Sequence, residues 1–482
     1  MSCGQQASEL SQGRPTLDGR LRRASAAAAD SLLVTLLVLL FSGQLGAQQS
    51  RQPYPLTLQQ AVNVAREKNP ERKAALADTK AASTDVKEAR SRLLPHAALS
   101  ETATIGNDPV YVFGGKLRQQ RFATGDFALS VLNTPAPFGN FATHVGGTWN
   151  LFDSLASWHA VSRAERVKDA AGHQLERTDQ EVIFRVVDSY YAVLLARKQL
   201  DIADQAMKTA QAILDRSKDR VESGVVVESD HLSAQVRLAT RRQELIRAQN
   251  NMALARAQLS TSMGVSEETE FDPSEVLAEK NLPPTSLDDL EKQAEERRPD
   301  LNRIRSEEAA QQKSVSIAKS SFGPRVNAFG GWEADNPTLL AGGGGNSWLA
   351  GIEVQFDLFD GGARRAQLYH ARAAEEKVSA IKEMATDAIR LQVRRAYYDL
   401  DAARQQVDVA RATIAEAQES LRINQDRYNS GLSTITELLA AEEAARRSQT
   451  DYWEALYRYH TGYANLELAS GTLDPQSPVV TP

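Results

Sequence analysis

Two stretches of this chain, Asn150–Gly264 and Asp357–Gly471, correspond to each other without a gap. The matched residues are Asn150-Leu151-Phe152-Asp153 with Asp357-Leu358-Phe359-Asp360, Tyr190-Tyr191 with Tyr397-Tyr398, Arg220-Val221-Glu222-Ser223-Gly224 with Arg427-Tyr428-Asn429-Ser430-Gly431, and Met263-Gly264 with Ser470-Gly471. Every match has an offset of 207 positions (397 − 190). A long internal duplication determines the architecture, because each copy should fold as the same unit.

The duplication extends upstream with a second offset. Thr57-Leu58, Asn69-Pro70 and Pro95 match Ser286-Leu287, Arg298-Pro299 and Pro324, at an offset of 229 positions (299 − 70). The first copy therefore has 22 additional residues (229 − 207) between Pro95 and Asn150. A constant framework with one insert of variable length predicts a surface loop at the insert.

Composition argues against several classes of function. A net charge of −6 over 482 residues gives no electrostatic basis for a nucleic-acid partner. Cys3 is the only cysteine, so one mature chain has neither a disulfide nor a cysteine-based metal site. The histidines are scattered without metal-ligand spacing, and no phosphate-binding loop is present. We therefore predict no cofactor and no bound metal.

The N-terminus has the three regions of a signal peptide, which we place at residues 1–47. Arginines between Arg14 and Arg23 precede the apolar run Leu32–Phe41, and Gly46-Ala47 ends in a small residue suited to cleavage. The run has about 10 apolar residues, whereas a spanning helix needs about 20. We expect the chain to be exported.

A period of two follows in both copies, and it predicts β-hairpins at 96–152 and 325–359. The strands have the length of tilted membrane-spanning strands. A soluble β-sandwich face or a docking hairpin is the alternative. Trp149, Trp332 and Trp348 lie on the apolar phase, as in an interfacial aromatic belt or a soluble core. We predict that Asn107–Asn140, rich in glycine, proline and aromatic residues, is a long loop.

Each hairpin precedes a stretch without proline, 154–222 and 361–429, which predicts a helix of about 100 Å at 1.5 Å per residue. Gly224 and Gly431 are suited to end these helices. Ser229 or Asp230, and Ser433 or Thr434, are candidate N-caps of the shorter return helices 230–262 and 435–469. The paired tyrosines should pack between helices. The organisation is a first repeat at 48–264, a linker at 265–285, a second repeat at 286–471 and a flexible tail at 472–482.

This arrangement resembles the TolC-like outer-membrane efflux family. The resemblance rests on the duplicated strand-to-helix junctions, the paired tyrosines and the turns Ser223-Gly224-Val225 and Ser430-Gly431-Leu432. It implies a membrane α+β fold, with four strands per protomer in a trimeric 12-stranded outer-membrane β-barrel and a long periplasmic α-helical barrel beyond it. It also implies a homotrimer in the outer membrane of a Gram-negative bacterium, surrounded by lipid. The function implied is a passive exit duct for an inner-membrane pump and a periplasmic adaptor protein.

The resemblance also implies roles for residues at the helical tip. Gly224, Val225, Gly431 and Leu432 match the turns that adaptors contact. A second list matches the side chains that constrict the periplasmic aperture: Tyr428, Glu437 and Asp230. The alternative for the two carboxylates is a favourable position at a helix N-terminus.

Two other classes of function compete with the duct. An exported structural or adhesive coiled coil, anchored by a small barrel, would show no transport. A periplasmic enzyme would need a nucleophile with its base, a pair of carboxylates or a metal cluster, and the sequence shows none of these. We therefore expect a protein that is not an enzyme.

Overall fold

The computed structural model describes residues 54–224, 227–266, 271–280, 286–339 and 344–481. The predicted signal peptide and Val225 lie outside these residues. The first described elements are strand β1 (Tyr54–Leu56) and helices α1 (Leu58–Lys68) and α2 (Pro70–Ser91). Thr57 caps α1 in a capping box with Gln60, as its position before the apolar run predicts.

A long antiparallel pair follows, formed by β2 (His96–Gly106) and β3 (Phe138–Phe152). The segment Asn107–Asn140, predicted as a long loop, does connect the two strands, but it is partly helical. This segment contains helices α3 (Pro109–Arg118) and α4 (Leu129–Asn133). Helix α3 begins where Asp108 accepts a hydrogen bond from Tyr111 N and where Pro109 supplies a suitable first-turn φ.

The first long helix, α5 (Ala156–Glu222), has 67 residues. It begins two residues later than expected, because Ser154 and Leu155 adopt left-handed φ values of 57° and 72° between strand and helix. The return helix α6 (Glu228–Met263) begins after Val227, whose side chain makes no capping hydrogen bond. The prediction that Ser229 or Asp230 caps this helix is therefore wrong, since both lie inside its first turn.

The second copy repeats these elements in the same order. After strand β4 (Phe271–Pro273), its elements are α7 (Leu287–Arg297), α8 (Pro299–Ser320), β5 (Arg325–Asn336), β6 (Gly345–Gln355), α9 (Ala363–Asn429) and α10 (Ile435–Ser470). Helix α9 also has 67 residues and follows Gly361 and Gly362, at φ values of 67° and 90°. Thr434 is the N-cap of α10 and accepts from Glu437 N.

Strands β2, β3, β5 and β6 form one antiparallel sheet in that order. The two copies meet at its centre, where Val145 pairs with Trp332 and Thr148 with Phe329. Strands β2 and β6 occupy the two edges. Within the described residues, each edge strand is paired on one side only.

The linker and the tail are more ordered than the sequence indicates. In the linker, β4 pairs with β1, Ser274 N donates to Leu56 O at 3.1 Å, and Leu277 is buried. The prediction of a flexible tail at 472–482 is wrong for its described part, because Leu473, Val479 and Val480 belong to the main apolar core. Proline and serine suggest a loose segment, but these three side chains gain enough apolar contact to hold it in place.

Candidate functional site

The four-stranded sheet has one apolar face, and that face is uncovered in the protomer. Cross-strand pairing places Leu99, Val145, Trp332 and Trp348 side by side in one row. Trp348 is 79% exposed. The other exposed apolar side chains of this face are Ile105, Trp149, Ile352 and Val354. A contiguous apolar surface of this kind requires lipid or another apolar partner.

The opposite face of the same sheet is polar. Its side chains include Ser100, Thr102, His144, Glu333 and Ser347, which alternate with the apolar residues along their strands. Glu101 on the apolar face and Phe329 and Leu349 on the polar face interrupt the alternation. A mostly apolar face opposite a mostly polar face is the pattern of a membrane β-barrel that encloses water.

The two long helices are each followed by a glycine at the matching position. Gly224 and Gly431 have φ values of 68° and 73°, and their amides donate to Val221 O and Tyr428 O. Leu432 N donates to Arg427 O at 2.8 Å and closes a Schellman turn. The Leu432 side chain is 70% exposed and therefore presents an apolar surface to solvent at the tip.

The three residues predicted for the aperture lie in different environments. Glu437 is exposed and its carboxylate accepts from Ser433 Oγ, while Asp230 is half-buried in the first turn of α6. Tyr428 is instead buried, in a small apolar cluster with Ile213 and Leu438. The structure thus places the two acids at the surface near the tip and the tyrosine inside the protomer.

Arg220 joins the two long helices beside this cluster. Its guanidinium lies 4.9 Å from the centre of the Tyr428 ring, and Nη1 donates to Tyr428 O at 2.9 Å. Sequence reasoning did not identify Arg220, although it occupies the same repeat position as Arg427. A cation over an aromatic ring at a helix C-terminus stabilises both the contact and the helix end.

A buried ion network joins the two return helices above the tip. Arg241, only 1% exposed, donates to Glu244 and Glu443 at 2.7 Å each and lies 3.6 Å from Glu442. Arg446 and Arg241 hold the pKa of Glu443 down at about 2, through hydrogen bonds that outweigh the effect of burial. The sequence feature that could have indicated this network is the pair Glu442-Glu443, in a helix otherwise rich in alanine.

The paired tyrosines of the first copy lie in the main core. Tyr190 donates to Leu56 O at 2.8 Å, and Tyr191 stacks on His460 at 4.6 Å. Burial lowers the pKa of His460 to about 4, so the ring is neutral. Burial also raises the pKa of Glu467 to about 8. The prediction that the tyrosines pack between helices is confirmed for this pair, whereas Tyr398 of the second copy is 60% exposed.

No helix among the described residues is both long and apolar enough to cross a bilayer. Nor does this described part of the chain bring together three side chains able to hold a metal ion.

The fold and its two-faced sheet define a class of protein, an outer-membrane channel with a helical extension. The model of the outer membrane efflux protein family matches residues 61–265 and 290–472, and the chain belongs to this family. It is an outer-membrane channel of tripartite efflux or secretion systems, located in the outer membrane of a Gram-negative bacterium with a periplasmic helical extension. The family consists of channel proteins. This assignment decides for the channel over the adhesive coiled coil.

Individual relatives span most of the chain. Protein CyaE of Bordetella pertussis is 28% identical over 417 residues, covering 85% of this chain and 81% of CyaE. Outer membrane protein TolC of Escherichia coli (strain K12) is 24% identical over 463 residues, covering 92% of this chain and 87% of TolC. These relatives match both repeats rather than a single shared domain.

Solved structures show the same fold. The CmeC outer membrane channel of Campylobacter jejuni has a TM-score of 0.74 at 18% identity, covering 90% of this chain and 93% of CmeC. The outer-membrane channel OprN has a TM-score of 0.72 at 20% identity, covering 86% of this chain and 90% of OprN. The fold class expected from the duplicated sequence is confirmed.

Proposed function

We propose that three copies of this chain close their sheets into one 12-stranded barrel, through which substrates leave the cell passively. The observation that carries this proposal is a four-stranded sheet with an exposed apolar face, whose edge strands β2 and β6 are each paired on one side only in the part of the chain that the structure describes. Unpaired backbone groups are costly in lipid, so the edges must meet strands of neighbouring copies. Closed rings of identical chains are the usual solution.

The test is the mass of the protein extracted in mild detergent from separated outer membranes. We expect roughly three times the mass of the mature chain, as a closed three-fold ring requires. The same material should conduct ions in a planar bilayer. A monomer in the soluble periplasmic fraction would contradict the proposal, since four strands cannot close a barrel alone.

The helical tip is our candidate for the surface that meets a periplasmic adaptor, itself coupled to an inner-membrane pump. Exposed Leu432 and the left-handed Gly224 and Gly431 support this, and Val225 is included by its place in the first turn. Apolar side chains at a surface centre are typical anchors of protein contacts. A photo-crosslinking residue at position 432 should join the adaptor in cells, whereas one at Leu254, exposed midway along α6, should not. Equal crosslinking at both positions would argue against a tip-specific contact.

We further propose that Asp230 and Glu437 constrict the periplasmic aperture, with Tyr428 acting from inside the protomer through its contact with Arg220. Three copies of each acid would form a ring of negative charge that binds cations. Replacing both with Asp230→Asn and Glu437→Gln should raise single-channel conductance and weaken block by multivalent cations. Glu228→Gln, in the same first turn as Asp230, is the matched control. An equal effect of the control would assign both acids to helix stabilisation.

We propose that the chain itself has no catalytic role, because energy for transport would come from the pump. Conductance without any added nucleotide is the expected behaviour.

A further inference from the structure

The insert that distinguishes the first copy, residues 107–137, lies at the end of the sheet remote from the long helices. Strand β2 leads away from α2, and β3 returns to α5, so their connection lies at the opposite end. In the second copy, residues 337–344 make the same connection without a helix among their described residues. The insert is therefore a structure that only one repeat builds.

The insert is anchored to the polar face by a buried chain of amides. The fully buried Gln119 donates from Nε2 to Asn140 Oδ1 at 2.8 Å, and Asn140 donates from Nδ2 to Asp335 Oδ1 at 2.5 Å. Asn140 and Asp335 both lie on the polar face, because Asp335 pairs with Ala142. Buried amides that satisfy one another in this way fix a single arrangement.

A second attachment joins the end of α3 to β5 and β6. Arg118 Nη1 donates to Glu333 Oε1 at 3.0 Å, and Glu333 lies on the polar face opposite His144. A Cβ atom at Gly345 would lie 2.0 Å from Arg118 O, so only glycine allows α3 to approach β6 this closely. Because Tyr111 Oη also donates to Thr104 O of β2 at 3.0 Å, the insert contacts all four strands.

The insert also contains a cluster of partly exposed aromatic rings. The rings of Phe113, Phe122 and Phe127 meet edge to face at 4.9 and 5.1 Å. Lys116 donates to Asp126 Oδ1 at 2.7 Å across the same segment. Such contacts give the segment a defined shape rather than a set of loop conformations.

Three glycines lie on the polar face, towards the helix end of the sheet. Gly146 and Gly331 are paired neighbours on the polar face, and Gly351 lies on that face in the next strand. The His144 ring lies flat across the first two glycines, where a Cβ atom would come within 2.3 to 2.6 Å of it. The wall has no side chain of its own at these glycines, and the rings of His144 and Phe329 cover it there.

We propose that this insert is a fixed constriction at the outer mouth of the channel, which limits the size of molecules that pass there independently of the periplasmic tip. The polar face is the inner wall of the closed barrel, so a segment held on it narrows the passage. This inference rests on the proposed ring of three copies. It assigns a specificity-determining role to Arg118, Gln119 and their partners.

The test measures access from outside to a single cysteine below the insert. Thr148 is exposed on the polar face and pairs with His96 at the helix end of the sheet. Intact cells carrying Thr148→Cys are treated with a small charged methanethiosulfonate or with a maleimide on a long polyethylene glycol. We expect the small reagent to label the cysteine and the large one to be excluded. The parent chain without this cysteine measures background.

Arg118→Glu places two carboxylates together, so the attachment of the insert to β5 should weaken. We expect the rate of labelling by the large reagent to rise about tenfold, because about 1.4 kcal/mol changes the population of the detached insert by that factor. The charge swap Arg118→Glu with Glu333→Arg is the matched control and should restore exclusion. A variant with residues 109–136 replaced by a short glycine turn should admit the large reagent fully.

The outcomes separate this inference from the proposed function. If the large reagent labels the parent protein as fast as the variants, or stays excluded after the insert is removed from a protein that is still trimeric, the constriction is refuted. If the small reagent fails to reach Thr148→Cys in every variant, the polar face is not a channel wall. That result refutes the closed ring, and the constriction with it.

Discussion

The two copies of the repeat have the same backbone fold, but their side chains are buried to different extents in the protomer. Helices α5 and α9 have equal length and begin and end at matching positions. Yet 18 residues of α5 are buried within the protomer, against 7 of α9. The duplication therefore specifies element lengths and turns, while the side chains have diverged. Helix α5 of the first copy supplies much of the core of the protomer. Helix α9 of the second copy remains largely exposed in the protomer.

The largest expected difference is between the matched tyrosines Tyr191 and Tyr398. Tyr191→Ala removes a buried ring that stacks on His460, and it should destabilise the protomer by about 4 kcal/mol, as large-to-small core substitutions do. Tyr398→Ala should change protomer unfolding by less than about 1 kcal/mol, because the ring is exposed there. The measurement is loss of helical circular dichroism in denaturant.

Heating the assembled protein should separate the effects of the same two substitutions further. If α9 finds its contacts in neighbouring copies, Tyr398→Ala should lower the temperature at which the ring separates into single chains. Tyr191→Ala should lower the unfolding midpoint of each chain instead. Equal unfolding midpoints for the two variants would show that the repeats do not differ as described.

The helices and turns of both copies could be predicted from the sequence because their signals are local. Absence of proline, glycine at the C-termini and a threonine N-cap act within one or two turns. The helices of the insert could not be predicted in this way. Their segment has the composition of a loop, and Gln119 becomes buried only after β3 and β5 have paired.

The candidate tip residues show the same limit. Gly431 and Leu432 are found in the predicted turn, because turn chemistry is local. The family resemblance implies that Tyr428 lies near the aperture, but its side chain lies inside the protomer. The rotation of α9 about its axis depends on how α5 and α10 pack against it. No single-helix pattern contains that information.

A second, smaller difference lies between Arg241 and its repeat partner Ser448. Arg241→Gln removes one of the two cations beside the buried Glu442 and leaves only Arg237, at 3.4 Å. We expect a loss of about 3 kcal/mol in the free energy of unfolding. Arg446→Gln is the matched control, since Arg446 is more exposed and pairs with Glu443 alone. It should cost about 1 kcal/mol or less. Similar losses in chemical denaturation would show that burial of Arg241 is unimportant.

The same network predicts a dependence on acid. The pKa of Glu443 is held at about 2, below its ordinary value of 4.5, first by Arg446 and then by Arg241. Its contribution to stability is therefore complete above pH 4.5 and is lost as the pH falls towards 2. Arg446→Gln should reduce this acid-dependent loss in unfolding measured between pH 5 and pH 3.

Glu467 is half-buried and its repeat partner Ser260 is buried, but only Glu467 is ionisable. Because burial raises the pKa of Glu467 to about 8 from 4.5, the folded state binds the extra proton. Stability is therefore complete below pH 4.5 and is lost as the pH rises to 8. Glu467→Gln should be nearly neutral at pH 5 and stabilising by on the order of 2 kcal/mol at pH 9. A stability difference independent of pH would show that the carboxyl is ionised in the folded protein.

The smallest effect concerns the junction between strand and long helix. Leu155 has a φ of 72°, where the second copy has Gly362 at 90°. A left-handed conformation costs a residue with a Cβ atom about 1 to 2 kcal/mol. Leu155 is half exposed, so little apolar contact is lost on truncation. Leu155→Gly should therefore stabilise the chain by up to about 1 kcal/mol, and Gly362→Ala should destabilise it by about 1 kcal/mol.

Thermal unfolding of the two variants side by side checks this exchange. Opposite shifts would show that the junctions of the two copies are conformationally equivalent and that the first copy tolerates strain which the second avoids. Destabilisation by both would mean that the Leu155 side chain is needed in the assembled protein. In that case Leu155 would contact a neighbouring copy, because the protomer alone leaves its side chain half exposed. Its left-handed conformation would then be maintained by that contact.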